Sequence, residues 1–180
     1  MLSPEEITHL NNICEYISND KFECAELELR KVLRSQEYSE PAVSYAYFLL
    51  GDIYTNYKNP KRDRKVANQM FLNCINSNTP CPSAFVNFAN NESDKSVALN
   101  YLKLGLRKFP NSPLIYMRLL RYSEEKDLIK YIAEIESKNI DNTDLLQCVV
   151  SILLRQGGFK QAEHFLTKLL SNKDIDDYTV

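Results

Sequence analysis

The sequence predicts an all-α protein built as a solenoid of about five helix pairs, and three observations carry that expectation. The chain has 180 residues, 44% of them hydrophobic and 26% charged, enough apolar material for one core or a stack of small repeats. Only 4 Gly, 7 Pro and no Trp, with few alternating apolar and polar runs, argue against a β-sandwich or barrel, which needs turn signals at short spacing. Apolar residues instead recur at helical spacing, and turn or capping residues interrupt them regularly.

Ile7, Leu10, Cys14 and Ile17 mark a first helix that Asp20 ends, and Ala25, Leu29, Val32 and Leu33 mark a second, closed by the break at 39–41. The third and fourth lie in "YFLLGDIYTNYKNPKRDRKVANQMFLNC", Tyr47 to Cys74, interrupted at Asn59-Pro60. Breaks at 78–82, 90–94, 110–113, Ser123, 139–143 and Gly157-Gly158 divide the remainder into about six more. Second helices share a pattern. Ala98, Leu102, Gly105 and Pro110 have the spacing of Leu128, Ile132, Ile135 and Ile140, and Gly157, Ala162, Leu166 and Leu169 extend the series. Anchors at Ala25, Ala67, Ala98, Leu128 and Ala162 lie 42, 31, 30 and 34 residues apart, scattered about a 34-residue period.

Tyr47, Leu50, Gly51, Tyr54, Ala67 and Phe71 follow the order large aromatic, Leu-Gly, Tyr, Ala, aromatic, and on these residues the chain resembles the tetratricopeptide-repeat superfamily over about 7–170. The pattern has a packing reason: large residues fill the seam between paired helices, and Gly and Ala stand where the helices come closest. With Ala46 and Asp63 added, the second unit is similar to the longer-looped SEL-like variant. Phe85, Phe88, Ala89 and Glu92 make the third unit, and with it the fourth, similar to half-a-tetratricopeptide repeats. The resemblance implies a right-handed α-α superhelix forming a single domain over 1–180, with units at about 4–38, 41–79, 81–110, 112–140 and 142–172.

First helices of such an array line its concave face. Registered on Leu50-Gly51, the resemblance places Tyr45, Phe48, Asp52, Thr55 and Asn56 in the groove from the second unit, and Asn87, Asn90 and Asn91 from the third. Met117 and Arg121 follow from the fourth, and Gln147, Ser151 and Arg155 from the fifth. Asparagine amides both donate to and accept from an extended backbone, and arginine forks pair with carboxylates. The face therefore suits an extended or helical segment with an acidic or C-terminal carboxylate feature. Asn90 and Asn91 equally fit turn and capping roles, and Arg121 a solvated helix end. Chaperone-docking relatives carry Lys and Asn where Phe48 and Asp52 stand, which argues against the chaperone tail as ligand.

The net charge of -2 gives no bulk field for nucleic acid or an acidic membrane. The loop "KNPKRDRK" is a short basic run without interleaved aromatics, read as a solvated connection. "MLSPEEITHL" lacks the basic start and apolar run of a secretory signal, and no stretch reaches 18 apolar residues. A cytoplasmic, membrane-free protein is expected, with a nuclear location compatible. Cys14, Cys24, Cys74, Cys81 and Cys148 form no C-x-x-C, and with only His9 and His164 no metal-ligand spacing emerges; the cysteines read as buried small apolar residues. His9 reads as an exposed first-turn residue. No phosphate-binding glycine loop, nucleophile elbow or H-E-x-x-H is present.

The expectation is a non-catalytic protein-protein interaction module or scaffold that needs no cofactor. Alternatives are a regulatory or targeting domain of a larger enzyme, suggested by the end "LLSNKDIDDYTV", and an RNA-processing scaffold, suggested by the half-repeat likeness. Phe165, Leu166, Leu169 and Leu170 finish the last pair without a polar capping helix, which predicts further chain or self-association through that face.

Overall fold

The computed structural model describes residues 2–171, and those residues form ten α-helices and no strand. In order they are α1 (Pro4–Ser18), α2 (Phe22–Arg34), α3 (Glu40–Thr55), α4 (Arg64–Ile75), α5 (Pro82–Asn91), α6 (Lys95–Lys108), α7 (Pro113–Tyr122), α8 (Glu125–Ser137), α9 (Thr143–Arg155) and α10 (Phe159–Ser171). The chain divides into two compact units, one reaching Tyr101 and the other starting at Leu102, so the division falls inside α6. Of the segment "LLSNKDIDDYTV", residues 172–180 lie outside the described residues.

In the first unit the helix starts are written in the sequence. Ser3 caps α1: its hydroxyl accepts from Glu6 N at 3.1 Å while Ser3 N donates to Glu6 Oε2 at 2.7 Å, with Pro4 pre-set in the first turn. A cap of this kind stabilises a helix by ~1 kcal/mol. Glu6 then reaches across to the start of α3, accepting from Ser39 N at 2.5 Å and Ser39 Oγ at 3.0 Å. One buried carboxylate thus fixes the starts of two first helices, and α1 packs beside α3 and α3 beside α5.

The seam between α3 and α4 is the tightest place in this unit. A Cβ on Gly51 would lie under 3.0 Å from three ring carbons of Phe71, so only hydrogen fits there. Leu50, Ala46, Ala67 and Phe71 are all fully buried around it. Full burial of one such large side chain stabilises by ~1.5–3 kcal/mol.

Between the two helices, buried Asn59 organises the connection, donating from Nδ2 to Ile53 O at 2.9 Å and accepting from Lys61 N at 2.9 Å. Asp63 caps α4 by accepting from Lys65 N and Val66 N. The loop is exposed, as its charge predicts, yet two of its lysines are engaged. Lys58 Nζ lies 2.7 Å from Asp20 Oδ2, and Lys61 Nζ 3.2 Å from Glu23. Such exposed pairs are screened by solvent and add little stability; here they direct the loop toward the α1–α2 turn.

In the second unit aliphatic packing dominates. Ile115, Leu119, Leu128, Ile132, Ile135, Leu145, Val149 and Phe165 form its interior. α7 packs against α8 and α9, and α9 against α10. Asn142 caps α9 by accepting from Leu145 N at 3.0 Å. After α9 and its C-cap Gln156 comes Gly157, whose φ of 76° is the left-handed conformation in which glycine carries no Cβ penalty.

Candidate functional site

Each unit carries polar clefts on its first helices. In the first unit, one of about 450 Å³ is lined by Ile17, Asp52, Thr55, Asn56, Tyr57 and Arg62. Another, of about 280 Å³, is lined by Thr55, Arg62, Arg64, Asn87, Asn90 and Asn91. Thr55 and Arg62 belong to both, so the two adjoin.

The floor is a bond between neighbouring first helices: Asn87 Nδ2 of α5 donates to Asp52 Oδ1 of α3 at 2.6 Å. Burial pushes the Asp52 carboxyl above its ordinary value, and the Asn87 bond opposes that only in part. Thr55 turns its hydroxyl back to Asp52 O at 2.9 Å, and Asn56, at the end of α3, accepts from Lys58 N at 3.0 Å. Asn90 is exposed at the rim. The Arg62 and Arg64 side chains, also exposed, have no ion-pair partner among the described residues.

Three of the expected groove residues take other roles. Phe48 is buried, stacked on Tyr45 with centroids 5.7 Å apart and tilted against Phe71 at 6.3 Å, so it belongs to the α3–α4 seam rather than to an open aromatic anchor. Tyr45 is half-buried; burial first, then Cys14 and Cys81, pushes its hydroxyl up to about 12. Asn91 donates to Arg64 O at 2.9 Å and Asn68 Oδ1 at 2.5 Å, which spends its amide on joining α5 to the start of α4. Asn91 shapes the cleft wall and leaves Asn87 and Asn90 to face the space.

In the second unit, Met117 and Arg121 of α7 and Asp144, Gln147, Cys148, Ser151, Ile152 and Arg155 of α9 line a cleft of about 470 Å³. It unites all five expected residues from that half. Here the side chains bond within their own helix, Ser151 Oγ to Gln147 O at 2.8 Å and Arg155 Nε to Ser151 O at 3.3 Å.

Other expectations are corrected. Phe165 is 2% exposed and sits in the interior with Ala162, so it is no part of an outer face; Leu169 is half-buried, while Leu166 and Leu170 are exposed. Of the cysteines only Cys74 is buried; Cys24 is exposed and Cys14, Cys81 and Cys148 are intermediate. His9 is not an exposed first-turn residue: its Nδ1 meets Tyr38 Oη at 2.7 Å and its Nε2 lies 3.4 Å from Glu28. The sequence also hid Arg62 and Arg64, which looked like members of a solvated run. Arg62 precedes the Asp63 cap and Arg64 opens α4, which returns both to the end of α3 beside Thr55.

Among the described residues no helix is long and apolar enough to cross a membrane, and no group of three or more His, Cys, Asp or Glu could hold a metal ion. No family model matches the chain, and no curated protein matches it by sequence. Among solved structures it is similar to MamA, residue 41 to the end, from Desulfovibrio magneticus RS-1. The TM-score is 0.61 at 14% identity, covering 98% of this chain and 99% of that one. The likeness, with ten helices among the described residues whose first members lie side by side within each unit, shows the fold of this chain to be an all-α, tetratricopeptide-like helical repeat, an α-solenoid.

Proposed function

We propose that the chain is a non-catalytic protein-interaction module that takes an extended, acidic segment of a partner protein in the clefts lined by α3 and α5. The observation that carries this reading is the pairing of two unengaged guanidinium groups, Arg62 and Arg64, with the amides of Asn87 and Asn90 around one polar space. Arginine forks pair with carboxylates, and amides serve a backbone that lies between them. Asp52, Thr55 and Asn56 complete the wall. Met117, Arg121, Gln147, Ser151 and Arg155 offer the second unit's cleft for similar chemistry, with Arg121 and Arg155 as its cations.

A scaffold for RNA, suggested by the half-repeat likeness of the third and fourth units, has less support. Lys58 and Lys61 of the basic loop face Asp20 and Glu23 instead of standing free. The SEL-like spacing of the second unit fits protein recognition equally with the generic repeat, and it does so for a freestanding adaptor as for a regulatory domain of a larger enzyme.

Fluorescence anisotropy with an extended acidic peptide, its charge-neutral analogue and a single-stranded RNA tests the reading. We expect the acidic peptide to bind most tightly and to weaken with salt. Arg62→Glu with Arg64→Glu should weaken binding roughly tenfold for each desolvated ion pair it removes. Equal binding of acidic and neutral peptides, tighter binding of RNA, or crosslinks confined to α4 and α6 would each sink it.

A further inference from the structure

Two thiols converge where α4 hands the chain to α5. Cys74 stands in the last turn of α4 and Cys81 is the N-cap of α5, and their sulfurs lie 3.9 Å apart. The turn between them is held to α3 by two side chains, Glu40, whose Oε1 accepts from Asn78 N at 3.2 Å, and Ser44. The Ser44 hydroxyl contacts Cys74 Sγ at 3.4 Å, Ser77 Oγ at 2.8 Å and Thr79 O at 2.9 Å. Ser77 adds a bond to Cys74 O at 2.8 Å. The contact is therefore built by the fold rather than left to a floppy loop. Cys81 is half-buried, which leaves one sulfur of the pair within reach of a small reagent, while Cys74 is fully enclosed.

We propose that Cys74 and Cys81 are a redox modification site, a thiol pair that closes to an intramolecular disulfide by exchange with a small-molecule disulfide. The two groups ionise as a pair. Donation from the Cys81 thiol above all favours an anionic Cys74 and brings it down to about 6 against the opposing effect of burial, while the remaining proton is held more tightly on Cys81. Passing that proton across the contact puts the anion on Cys81, where the Ala84 and Ser83 amides oppose, in part, the raising effects of Cys74 and burial, and where the reagent arrives.

Cys81 Sγ attacks one sulfur of the small disulfide, forming a mixed disulfide and expelling one small thiolate. The Cys74 proton goes to that thiolate. Cys74 Sγ then attacks Cys81 Sγ, expels the second small thiolate, and that thiolate is protonated from solvent. Two electrons move from the protein thiols to the reagent, which leaves as two small thiols. The new bond ties the last turn of α4 to the first turn of α5, the helix that carries Asn87 and Asn90.

The test uses the full chain with oxidised glutathione, followed by trapping of free thiols and peptide mass mapping. A Cys74–Cys81 crosslink is expected, formed in the folded chain roughly tenfold faster or more than in urea, because the fold supplies the effective concentration. A chain with Cys14, Cys24 and Cys148 all replaced by Ser should behave identically, and reduction should restore both thiols. Oxidation that stops as a glutathione adduct on exposed Cys24, a Cys14–Cys81 bond, or equal rates folded and unfolded would overturn the assignment.

Discussion

The two units solve the same packing problem with different chemistry. In the first, polar side chains bridge neighbouring helices: Glu6 joins α1 to α3, Ser44 joins α3 to the α4–α5 turn, Asp52 joins α3 to α5, and Asn91 joins α5 to α4. In the second, the cleft residues bond along their own helix, and the notable cross-helix tie lies elsewhere. Fully buried Tyr116 donates to Glu134 at 3.1 Å and accepts from Lys138 Nζ at 2.7 Å, and Lys138 also reaches Pro110 O at 3.0 Å. The first unit's face is therefore placed by bonds between helices, whereas the second unit's face consists of side chains free to re-pack. On the proposed reading, geometric selectivity would belong to the first and adaptability to the second.

The largest expected effect breaks the first unit at its narrowest seam. Gly51→Leu drives a side chain into the Phe71 ring, an aromatic body instead of a flexible tip, and should destabilise by about 3 kcal/mol, near the upper end for overpacking. Urea denaturation followed by circular dichroism measures it. A variant as stable as the parent would mean that α3 and α4 are not in close approach and that the register of the whole face is wrong.

That seam was legible in the sequence because packing constraints there leave few residue choices. Leu50, Gly51, Ala67 and Phe71 each have one size that fits, and the pattern 98, 102 with 128, 132, 135 and 140 repeats it in fully or nearly buried positions. The second cleft was legible for a simpler reason: Gln147, Ser151 and Arg155 follow helical spacing on a single helix. Phe48 escapes such a reading because the ring that helps bury it, Phe71, stands on another helix and leaves no mark on the spacing within α3. Arg62 and Arg64 were invisible because loop path, fixed by Asn59 against Ile53 O, has no periodicity to read. The buried Glu6 had only a capping signature; its second partner, Ser39, stands 33 residues away.

Glu6 sharpens the comparison next, since it replaces part of the apolar packing that the second unit relies on. Hydrogen bonds from the Ser3 and Ser39 backbones, strongest first, hold its carboxyl below the ordinary glutamate value. A depressed folded-state value contributes stability that is present above about pH 4.5 and is lost as the pH falls through the depressed value. Glu6→Gln keeps the shape but loses the charge-assisted bonds, and should cost about 1–2 kcal/mol at neutral pH. The gap between parent and variant should close in acid. A constant gap from neutral to strongly acid pH would show that the carboxylate's charge contributes nothing to holding α1 and α3.

The smallest effect has the opposite sign. Asp52 lies under the cleft with its folded-state value raised by burial, so its contribution to stability is complete only below the ordinary aspartate value and is lost as the pH rises through the raised one. Asp52→Asn removes that penalty while its amide oxygen still accepts from Asn87 Nδ2. Thermal melts should therefore rise modestly at neutral pH and coincide with the parent in acid. The same change removes a negative charge from beneath the space where an acidic segment is proposed to lie, so binding of the acidic peptide should tighten while the neutral analogue is unaffected. A stability gain without a change in selectivity would separate the two: Asp52 would then be a strut between α3 and α5, and the discrimination would rest on Arg62, Arg64 and the asparagine amides alone.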